Sequence, residues 1–551
     1  MNAFIDTLPI RLTPLTPIHI GCGQEFEPTN YVIDDGVLYH FDPARVELDA
    51  SDRTALHAAI NRRWDEAILA IQRFFHARKD RFAGVAHGVV SVAPGVDQQY
   101  AARIGQVAQQ EHGRRKVTNL LEIERTAHHP HSGQAYIPGS SIKGAIRTAW
   151  LDHLNQGRGN GTKDRAQDVE KRLLGSHGGF HADPFRLLGI ADAAGEKLYS
   201  RVVFATNHKK REVFDQSGKL VTAKGPAVRR ETIVGGQYRA LHAEIRSHTL
   251  RGIDDERRTP GPRHRLPAFA DLARACNRYY GARLSALLDI LDQRRFAAPE
   301  WLTRFRALIG ELQPRLDAGE LMLLRVGRHS GAESVTLDGI RSIRIMAGKG
   351  MPAQFSSTGA KTVWLAADQE NARSGMLPFG WLLIEPAAAA EDPSLREWCQ
   401  QQPGLDLDAV RERLLETRRQ LEAETLRKEQ LAEEQAAQAQ LEAERQAERE
   451  RALAEMSPRA RSIAEFVTAC ESRNGKDPFN PGSGLFGQAM QLSRQALTEG
   501  SDWNADERRQ LADALTEWLP RVIDRLDRKN EWKDARKKLK LNALGGDSAT
   551  A

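Results

Sequence analysis

Apolar residues near the N-terminus alternate with polar ones, and this spacing of two is typical of β-strands. The pattern covers residues 10–12 and, after a proline-containing turn, residues 18–20. Residues 31–33 and 37–39 flank an Asp-Asp-Gly turn, in which Gly36 supplies the positive φ that a tight hairpin requires. The chain is therefore predicted to open with strand segments and a β-hairpin.

The apolar spacing changes to three or four between residues 51 and 78, which predicts a helix there. The positions that define it are Leu56, Ile60, Trp64, Ile68, Ile71 and Phe75. Strand patterns recur at residues 201–205, 232–234, 321–326 and 381–384, and helical patterns at residues 266–291 and 299–312. This order favours an α+β protein with two ferredoxin-like domains, residues 1–200 and 201–390, over a doubly wound sheet.

A long segment without helix breakers begins after residue 403. No proline follows until Pro458 and no glycine until Gly475, while Glu, Arg, Gln, Ala and Leu dominate. Strong helix formers predict one long charged helix over residues 404–457. Apolar positions in its first part suggest a heptad, but they do not persist, so a solvated spacer is favoured over a coiled coil.

The last part of the chain, residues 458–545, is predicted to be a small all-α module. Trp518 and Leu519 belong to its apolar stripe and are expected to be buried, and Pro520 is expected to kink or split that helix. A basic stretch follows, formed by Arg528, Lys529, Lys533, Arg536, Lys537, Lys538 and Lys540. These cations are able to contact nucleic acid or to remain a solvated helix end.

Composition places the chain among water-soluble proteins of several domains. Its 551 residues exceed what one core usually serves. No apolar run approaches the roughly 20 residues of a membrane span. The N-terminal residues do not resemble a signal peptide, so a cytoplasmic location is expected, without membrane association. The four cysteines form no CxxC pair, which argues against disulfides and a cysteine zinc site.

The net charge of +6 conceals basic runs that could neutralise phosphates along a polyanion. For any one run, a solvated loop is the simpler interpretation. The runs are residues 208–211, Arg229 with Arg230, and residues 257–265.

The most informative stretch is residues 136–147, where a short strand gives way through a Gly-Ser turn to a helix. Gly139 would admit a ligand close to the backbone, and Ser140 or Ser141 would cap the helix. Lys143 and Arg147 lie one turn apart beside the first-turn N–H groups. The stretch is not a nucleotide P-loop, since the G-x-x-x-x-G-K-[ST] spacing is absent. It predicts a phosphate cradle or a merely capped helix.

The string IPGSSIKGAIRTA at residues 137–149 resembles the signature of the RAMP superfamily of CRISPR systems, and particularly of the type III-A subunit that caps the crRNA 3′ end. The resemblance extends over roughly residues 5–387 but not over the long helix or the terminal module. Other segments similar to the family pattern are residues 13–21, 183–192, 231–236, 325–331 and 377–381.

The resemblance implies a pair of RAMP domains that bind guide RNA through its backbone, without catalysis or a cofactor. The expected partners are crRNA, the backbone RAMP subunit and other subunits of the type III-A Csm complex. Capping of the filament near the crRNA 3′ end, crRNA maturation and antiviral defence are the implied roles. The predicted RNA-contacting residues are His19, Gly139, Ser140, Ser141, Lys143, Arg147, Arg229, Arg230, Arg325, Gly327, Arg328, His329 and Gly331.

The main alternative is a metal-independent endoribonuclease, since some RAMP proteins cleave CRISPR RNA with a histidine as general acid or base. The candidate histidines are His19, His128, His129, His131 and His329. Lone histidines more often have structural roles, so a non-catalytic subunit is predicted.

No metal site is expected. His128, His129 and His131, or His177 with His181, supply imidazoles, but no acidic residue has ligand spacing. A further alternative is a coiled-coil adaptor protein based on residues 405–456, which would leave the motifs upstream of that segment without a role.

Overall fold

The structure is a computed structural model of the whole chain. It describes all residues except 1–4, 47, 112–114, 119–120, 131, 160–164, 177–181, 215–216, 219, 222, 224, 249–266, 346–351, 404–406, 483 and 547–551.

The strands within the described part of the chain are β1 (Ile5–Pro14), β2 (Gly21–Phe26), β3 (Tyr31–Asp34), β4 (Val37–His40), β5 (Gly88–Val92), β6 (Val107–Glu111), β7 (Arg115–Thr118), β8 (Ile123–Thr126), β9 (Leu188–Ile190), β10 (Ser200–Lys209), β11 (Val228–Ile233), β12 (Leu241–His248), β13 (Met322–Arg325), β14 (Ile343–Ile345), β15 (Gln354–Ser356), β16 (Thr362–Ala367), β17 (Leu377–Pro378) and β18 (Trp381–Pro386).

The α-helices are α1 (Ala50–Ile60), α2 (Trp64–Ala77), α3 (Lys79–Gly84), α4 (Pro94–Arg103), α5 (Gly139–Asn155), α6 (Ala166–Leu174), α7 (Phe269–Gln293), α8 (Pro299–Ala318), α9 (Pro393–Gln400), α10 (Asp408–Glu455), α11 (Pro458–Glu471), α12 (Gly484–Leu497), α13 (Ala505–Val522), α14 (Lys529–Lys538) and α15 (Leu541–Leu544).

Two larger sheets organise the first part of the chain. One sheet has the order β13-β18-β1-β12-β9, and β1 lies at its centre with Leu12 opposite Leu241 on one side and Ile384 on the other. The other sheet runs β2-β8-β11-β10-β5-β4-β3, with β16 paired to β10 and β17 paired to β16. The strand pairs of the first sheet are antiparallel, whereas the second sheet also contains parallel pairs, such as β10 with β5. This confirms the predicted α+β class.

The predicted domain boundary near residue 200 does not separate these sheets. Each takes strands from both sides of it, since β1 pairs with β18 in one sheet and β10 pairs with β5 in the other. The division into two ferredoxin-like domains remains a prediction.

The predicted hairpin forms as β3 and β4, and its turn residues Asp35 and Gly36 both have positive φ. Residues 18–20 form no strand, although Ile18 exchanges backbone hydrogen bonds with Ile233. The single helix predicted over residues 51–78 is two helices, α1 and α2. The polar residues 61–63 between them offer nothing to bury, so the chain turns there.

The helices α5, α7 and α8 complete the core of this part. The helix α7 packs against β13, α5 and α8. The largest fully buried side chains of this core include Trp381, Tyr280 and Phe305. A smaller separate core lies under the hairpin, where Phe41, Phe75 and Phe82 stack with centroid distances of 4.7–5.8 Å.

The chain divides into two compact units, residues 1–420 and 421–551. In the second unit the helices α11 to α15 surround their own core, which includes Phe466, Phe486 and Leu515. Leu519 is fully buried and Trp518 is partly buried. Pro520 does not split α13, which continues through it to Val522.

Candidate nucleic-acid interface

The predicted site residues fall into two groups within the first unit. One group is at the start of α5, and the other is where the loop after β13 meets His19. The two groups differ in how far their side chains are already engaged by other parts of the protein.

At the start of α5, Gly139 serves packing. Its N–H donates to Asp192 Oδ1 at 2.8 Å. A Cβ at this position would lie 2.0 Å from the carbonyl oxygen of Ile190, at the end of β9. The absence of a side chain therefore lets the chain near β9, and not a phosphate, approach the backbone here.

The predicted capping role of Ser140 or Ser141 is wrong. The N-cap position is Pro138, and no side chain accepts a hydrogen bond there. The helix starts at Gly139, so both serines lie within the first turn, Ser140 exposed and Ser141 partly buried.

The two cations of the predicted cradle have protein partners. The Lys143 ammonium donates to the carbonyl oxygen of Leu188 at 2.7 Å. The Arg147 guanidinium pairs with Asp183 at 2.8 Å and with Glu170 at 3.0 Å. The segment around residues 183–192 folds back onto α5, a long-range contact that local spacing does not reveal. The cradle thus differs from the prediction, because its charges are engaged internally.

The loop that follows β13 rests on the backbone of His19. The Arg328 N–H donates to the His19 carbonyl oxygen at 2.8 Å. Gly327 has a φ of +81°, and a Cβ there would lie 2.4 Å from the same oxygen. Gly331 ends the turn with a φ of +79°. Glycine is therefore required at position 327 for both conformation and space.

A carboxylate on β8 links two of the predicted arginines. Glu124 forms ion pairs with Arg230 on β11 and with Arg328 on the loop. The Arg328 side chain is 55% exposed, whereas that of Arg230 is 12% exposed. Two guanidinium groups share one carboxylate, which leaves positive charge in excess at the exposed end. We call this group, Glu124, Arg230 and Arg328, the arginine cluster.

His19 and His329 lie beside this cluster as neutral rings. His19 is fully buried, and its Nδ1 lies 2.7 Å from the Glu231 carbonyl oxygen, an acceptor that requires the proton on Nδ1. Burial lowers the pKa of His19, and the hydrogen bond offsets only part of this effect. Burial, together with the Arg230 charge, lowers the pKa of His329 to about 3.

A buried ion pair between Arg125 and Glu231 lies next to the arginine cluster. The Arg125 Nε lies 3.6 Å from Glu231 Oε2, and the Arg125 guanidinium lies 4.3 Å from the centroid of the Phe26 ring. Burial raises the pKa of Glu231, although Arg125 opposes this. Our sequence reasoning missed Glu124, Arg125 and Glu231 as site residues. The available signal was that these charged residues lie among apolar positions of the strands. A charge that becomes buried there needs a partner, which would have indicated an ion pair.

Two other predicted arginines have structural contacts. Arg229 donates to the Glu122 carbonyl oxygen at 3.2 Å and to the Gln99 side chain. Arg325 is buried, and its Nε donates to the carbonyl oxygen of Phe379 at 2.9 Å. Burial lowers the pKa of Arg325 to about 10. Their charges serve the interior of the first unit.

The basic runs are only partly described. Lys210 pairs with Glu333 near the end of β10, and residues 257–265 lie outside the described residues.

The described residues contain neither a group of metal ligands nor a helix suited to cross a membrane. Three or more His, Cys, Asp or Glu side chains grouped for a metal ion do not occur there. His128 contacts the Thr126 carbonyl oxygen at 3.0 Å, while His131, His177 and His181 lie outside the described part. The four cysteines are free thiols. Among the described helices, none is long and apolar enough to cross a membrane.

The comparisons with known proteins show what the chain resembles. Residues 11–256 match the model of the RAMP superfamily, in agreement with the sequence motifs. Among curated proteins, it is similar to the CRISPR system Cms protein Csm5 of Methanocaldococcus jannaschii, with 24% identity over 198 residues. That match covers 34% of this chain and 43% of the relative, so less than half of the relative is represented.

Two solved structures are also similar. The crystal structure of T. onnurineus Csm5 shares 16% identity, covering 68% of this chain and 99% of that chain, with a TM-score of 0.36. A chain of the Csm-crRNA-target RNA ternary complex of a type III-A CRISPR-Cas system shares 17% identity, covering 69% and 100%, with a TM-score of 0.34. Because both TM-scores are low, the assignment rests on the family model and the sequence relative.

Proposed function

We propose that this protein is a non-catalytic crRNA-binding subunit of a type III-A CRISPR effector complex. It would cap the backbone filament near the crRNA 3′ end, beside the backbone RAMP subunit, and support crRNA maturation and antiviral defence. The match to the RAMP superfamily model and the similarity to Csm5 support the class of function. The observation that carries RNA binding is the arginine cluster, formed where the loop on His19 meets strands β8 and β11.

The cluster suits binding to the RNA backbone without reading bases. Arg328 is the exposed member, and its loop is fixed by the hydrogen bond to His19. A phosphate arriving at this surface replaces Glu124 as the partner of Arg328, while Arg230 keeps the carboxylate neutralised. Arginine favours such exchange because its planar guanidinium forms two parallel hydrogen bonds to phosphate.

The state of the histidines supports a role without cleavage. An acid–base pair for RNA cleavage must reach the substrate and change protonation near neutral pH. His19 is fully buried, and the pKa of His329 is about 3, so both rings stay neutral and neither donates a proton readily.

Guide-RNA binding by the Arg328→Ala variant tests the proposal. Fluorescence anisotropy with a repeat-derived RNA should show affinity lower by about tenfold. The slope of log affinity against log salt should fall by about 0.7, as expected when one phosphate of a single strand is no longer neutralised. The matched control is Arg246→Ala, since Arg246 is also 55% exposed and paired with a nearby glutamate. Equal binding by both variants would remove the arginine cluster from the RNA surface.

Two further experiments address the remaining parts of the proposal. The protein should co-purify with a short RNA of CRISPR-repeat origin and with a backbone RAMP subunit. Purified protein incubated with repeat RNA and EDTA should leave the RNA intact. Cleavage that disappears in a His19→Ala variant would favour the endoribonuclease instead.

A further inference from the structure

Positive charge is concentrated near the end of the chain. Residues 528–540 contain seven Lys and Arg side chains against two acids, Glu531 and Asp534. Their net charge is +5, whereas that of the whole protein is +6. The rest of the chain is thus nearly balanced, and residues 528–540 form a local concentration of positive charge that could attract a polyanion.

The helix α14 separates this charge from its buried side. Ala535 and the following Leu539 are buried in the core of the second unit, and Trp532 is partly buried. The opposite side presents four exposed cations at a spacing of three or four, Lys529, Lys533, Arg536 and Lys537. In the part of the chain that the structure describes, none of these four forms an ion pair with a carboxylate. They make a stripe with about 6 Å of helix rise between Lys529 and Lys533.

An exposed aromatic ring lies beside this helix. Phe479 is 37% exposed on the loop between α11 and α12. Its ring meets the buried Phe486 edge-on at 4.7 Å, and the Lys538 ammonium lies 5.4 Å from its centroid. The loop is fixed, because the Asp477 N–H donates to the Val522 carbonyl oxygen and the Asp477 carbonyl oxygen accepts from the Asp524 N–H, both at 2.8 Å.

We propose that the stripe and Phe479 form a second binding surface, which takes single-stranded RNA. Cations that follow the backbone and an aromatic ring on which a base stacks are the two parts of sequence-independent single-strand binding. A solvated helix end accounts for the cations but not for an exposed ring held rigidly beside them. A duplex offers no free base to stack, so the surface selects single strands. The choice of RNA over DNA rests on the proposed function.

The full-length chain with Arg328→Ala provides the test, since this change weakens the arginine cluster and leaves the second surface intact. The probe is a short fluorescein-labelled oligouridylate. Replacing Lys529, Lys533, Arg536 and Lys537 together by Gln should lower the log-log salt slope by about 0.7 for each phosphate that is no longer neutralised. The charge-matched control replaces Arg419, Arg427, Arg445 and Arg451 of α10 by Gln, which are exposed on a different helix.

The aromatic part has its own variants. Phe479→Leu keeps an apolar contact with Phe486 but removes the stacking face, and should weaken oligouridylate binding by roughly tenfold. Phe479→Trp should restore it. The proposal is overturned if the four-Gln variant and Phe479→Leu bind like their parent. Tighter binding of oligodeoxythymidylate than of oligouridylate overturns the choice of RNA. Failure of the proposed function gives a different result, since guide binding would then be independent of Arg328.

Discussion

At the scale of single residues, Glu124 determines how much charge the arginine cluster offers to RNA. Its carboxylate contacts both Arg230 and Arg328, and it lies 3.6 Å from His19 Nε2. A carboxylate in this position holds the loop in place before RNA arrives. It also competes with phosphate for Arg328. Removing its charge would therefore strengthen RNA binding if competition dominates and weaken it if positioning of the loop dominates.

Glu124→Gln should therefore tighten guide-RNA binding and steepen its salt dependence. The amide keeps hydrogen bonds to the guanidinium groups but no longer neutralises them, which adds about one effective charge at the surface. Affinity and slope are measured by anisotropy across a salt series. Glu244→Gln, which removes the partner of Arg246, is the control for a general change in charge. Weaker binding by Glu124→Gln would show that the carboxylate serves mainly to position the loop.

The partly buried His329 predicts a dependence of stability on pH. Its pKa is about 3 in the folded protein, and about 6.5 is usual in an unfolded chain. Below pH 6.5 the unfolded state binds a proton that the native state does not. The free energy of unfolding should then fall by up to about 1.4 kcal/mol for each pH unit from pH 6.5 towards pH 3.

Urea unfolding of His329→Asn across this pH range measures the effect. Asparagine tolerates the φ of +67° at this position. The variant should lose less stability on acidification than the natural protein, whereas His57→Asn, at an exposed position, should follow the natural protein. Parallel curves for all three proteins would mean that His329 titrates normally.

At the scale of elements, the contact between α5 and the chain near β9 depends on one glycine. A Cβ on Gly139 would lie 2.0 Å from the Ile190 carbonyl oxygen. Since this contact is with backbone, no side chain is available to move aside. The RAMP-like motif of residues 137–149 is therefore explained, at this position, by packing between helix and strand.

Gly139→Ala should destabilise the protein by about 1–3 kcal/mol, the usual effect of overpacking. Gly144→Ala on the same helix is the matched control. Nothing lies within 4 Å of a Cβ at position 144, so alanine there should stabilise α5 by roughly 0.5–1 kcal/mol. Both values are obtained from urea unfolding. Similar effects of the two substitutions would contradict the close approach.

At the scale of the whole molecule, the first unit extends farther than the sequence suggested. The first turns of α10 pack against it. The Arg411 guanidinium lies 4.8 Å from the Tyr199 ring centroid, and Leu414 and Leu415 line a cavity of about 300 Å³ together with His40 and His87. The body was expected to end before residue 404, but these contacts belong to it.

Two truncations distinguish these boundaries. A chain ending at Gln420 should keep the melting temperature of the first unit and its Arg328-dependent binding of guide RNA. A chain ending at Pro403 lacks the α10 residues that contact Tyr199 and line the cavity. Its melting temperature should be roughly 2–4 °C lower than that of the chain ending at Gln420. Differential scanning calorimetry measures both. Identical melting of the two truncated proteins would show that α10 contributes nothing to the body.

The sequence by itself determined many of the local elements and the resemblance to a family. Hairpin, helix and strand patterns depend on residue spacing, and the β3–β4 turn required only two residues that accept positive φ. The motif at residues 137–149 indicated the resemblance to the RAMP superfamily, whose model matches residues 11–256, and the run without glycine or proline predicted the long helix. Each of these follows from interactions between residues close together in the chain.

Only the tertiary structure decided which charges are available to a ligand. Lys143 and Arg147 look like a phosphate cradle in the sequence, yet distant residues occupy them. Arg328 looks equivalent to Arg325, but one side chain is exposed and the other is buried. The physical reason is that these ion pairs and hydrogen bonds form between residues far apart in the chain. Local spacing carries no information about such contacts.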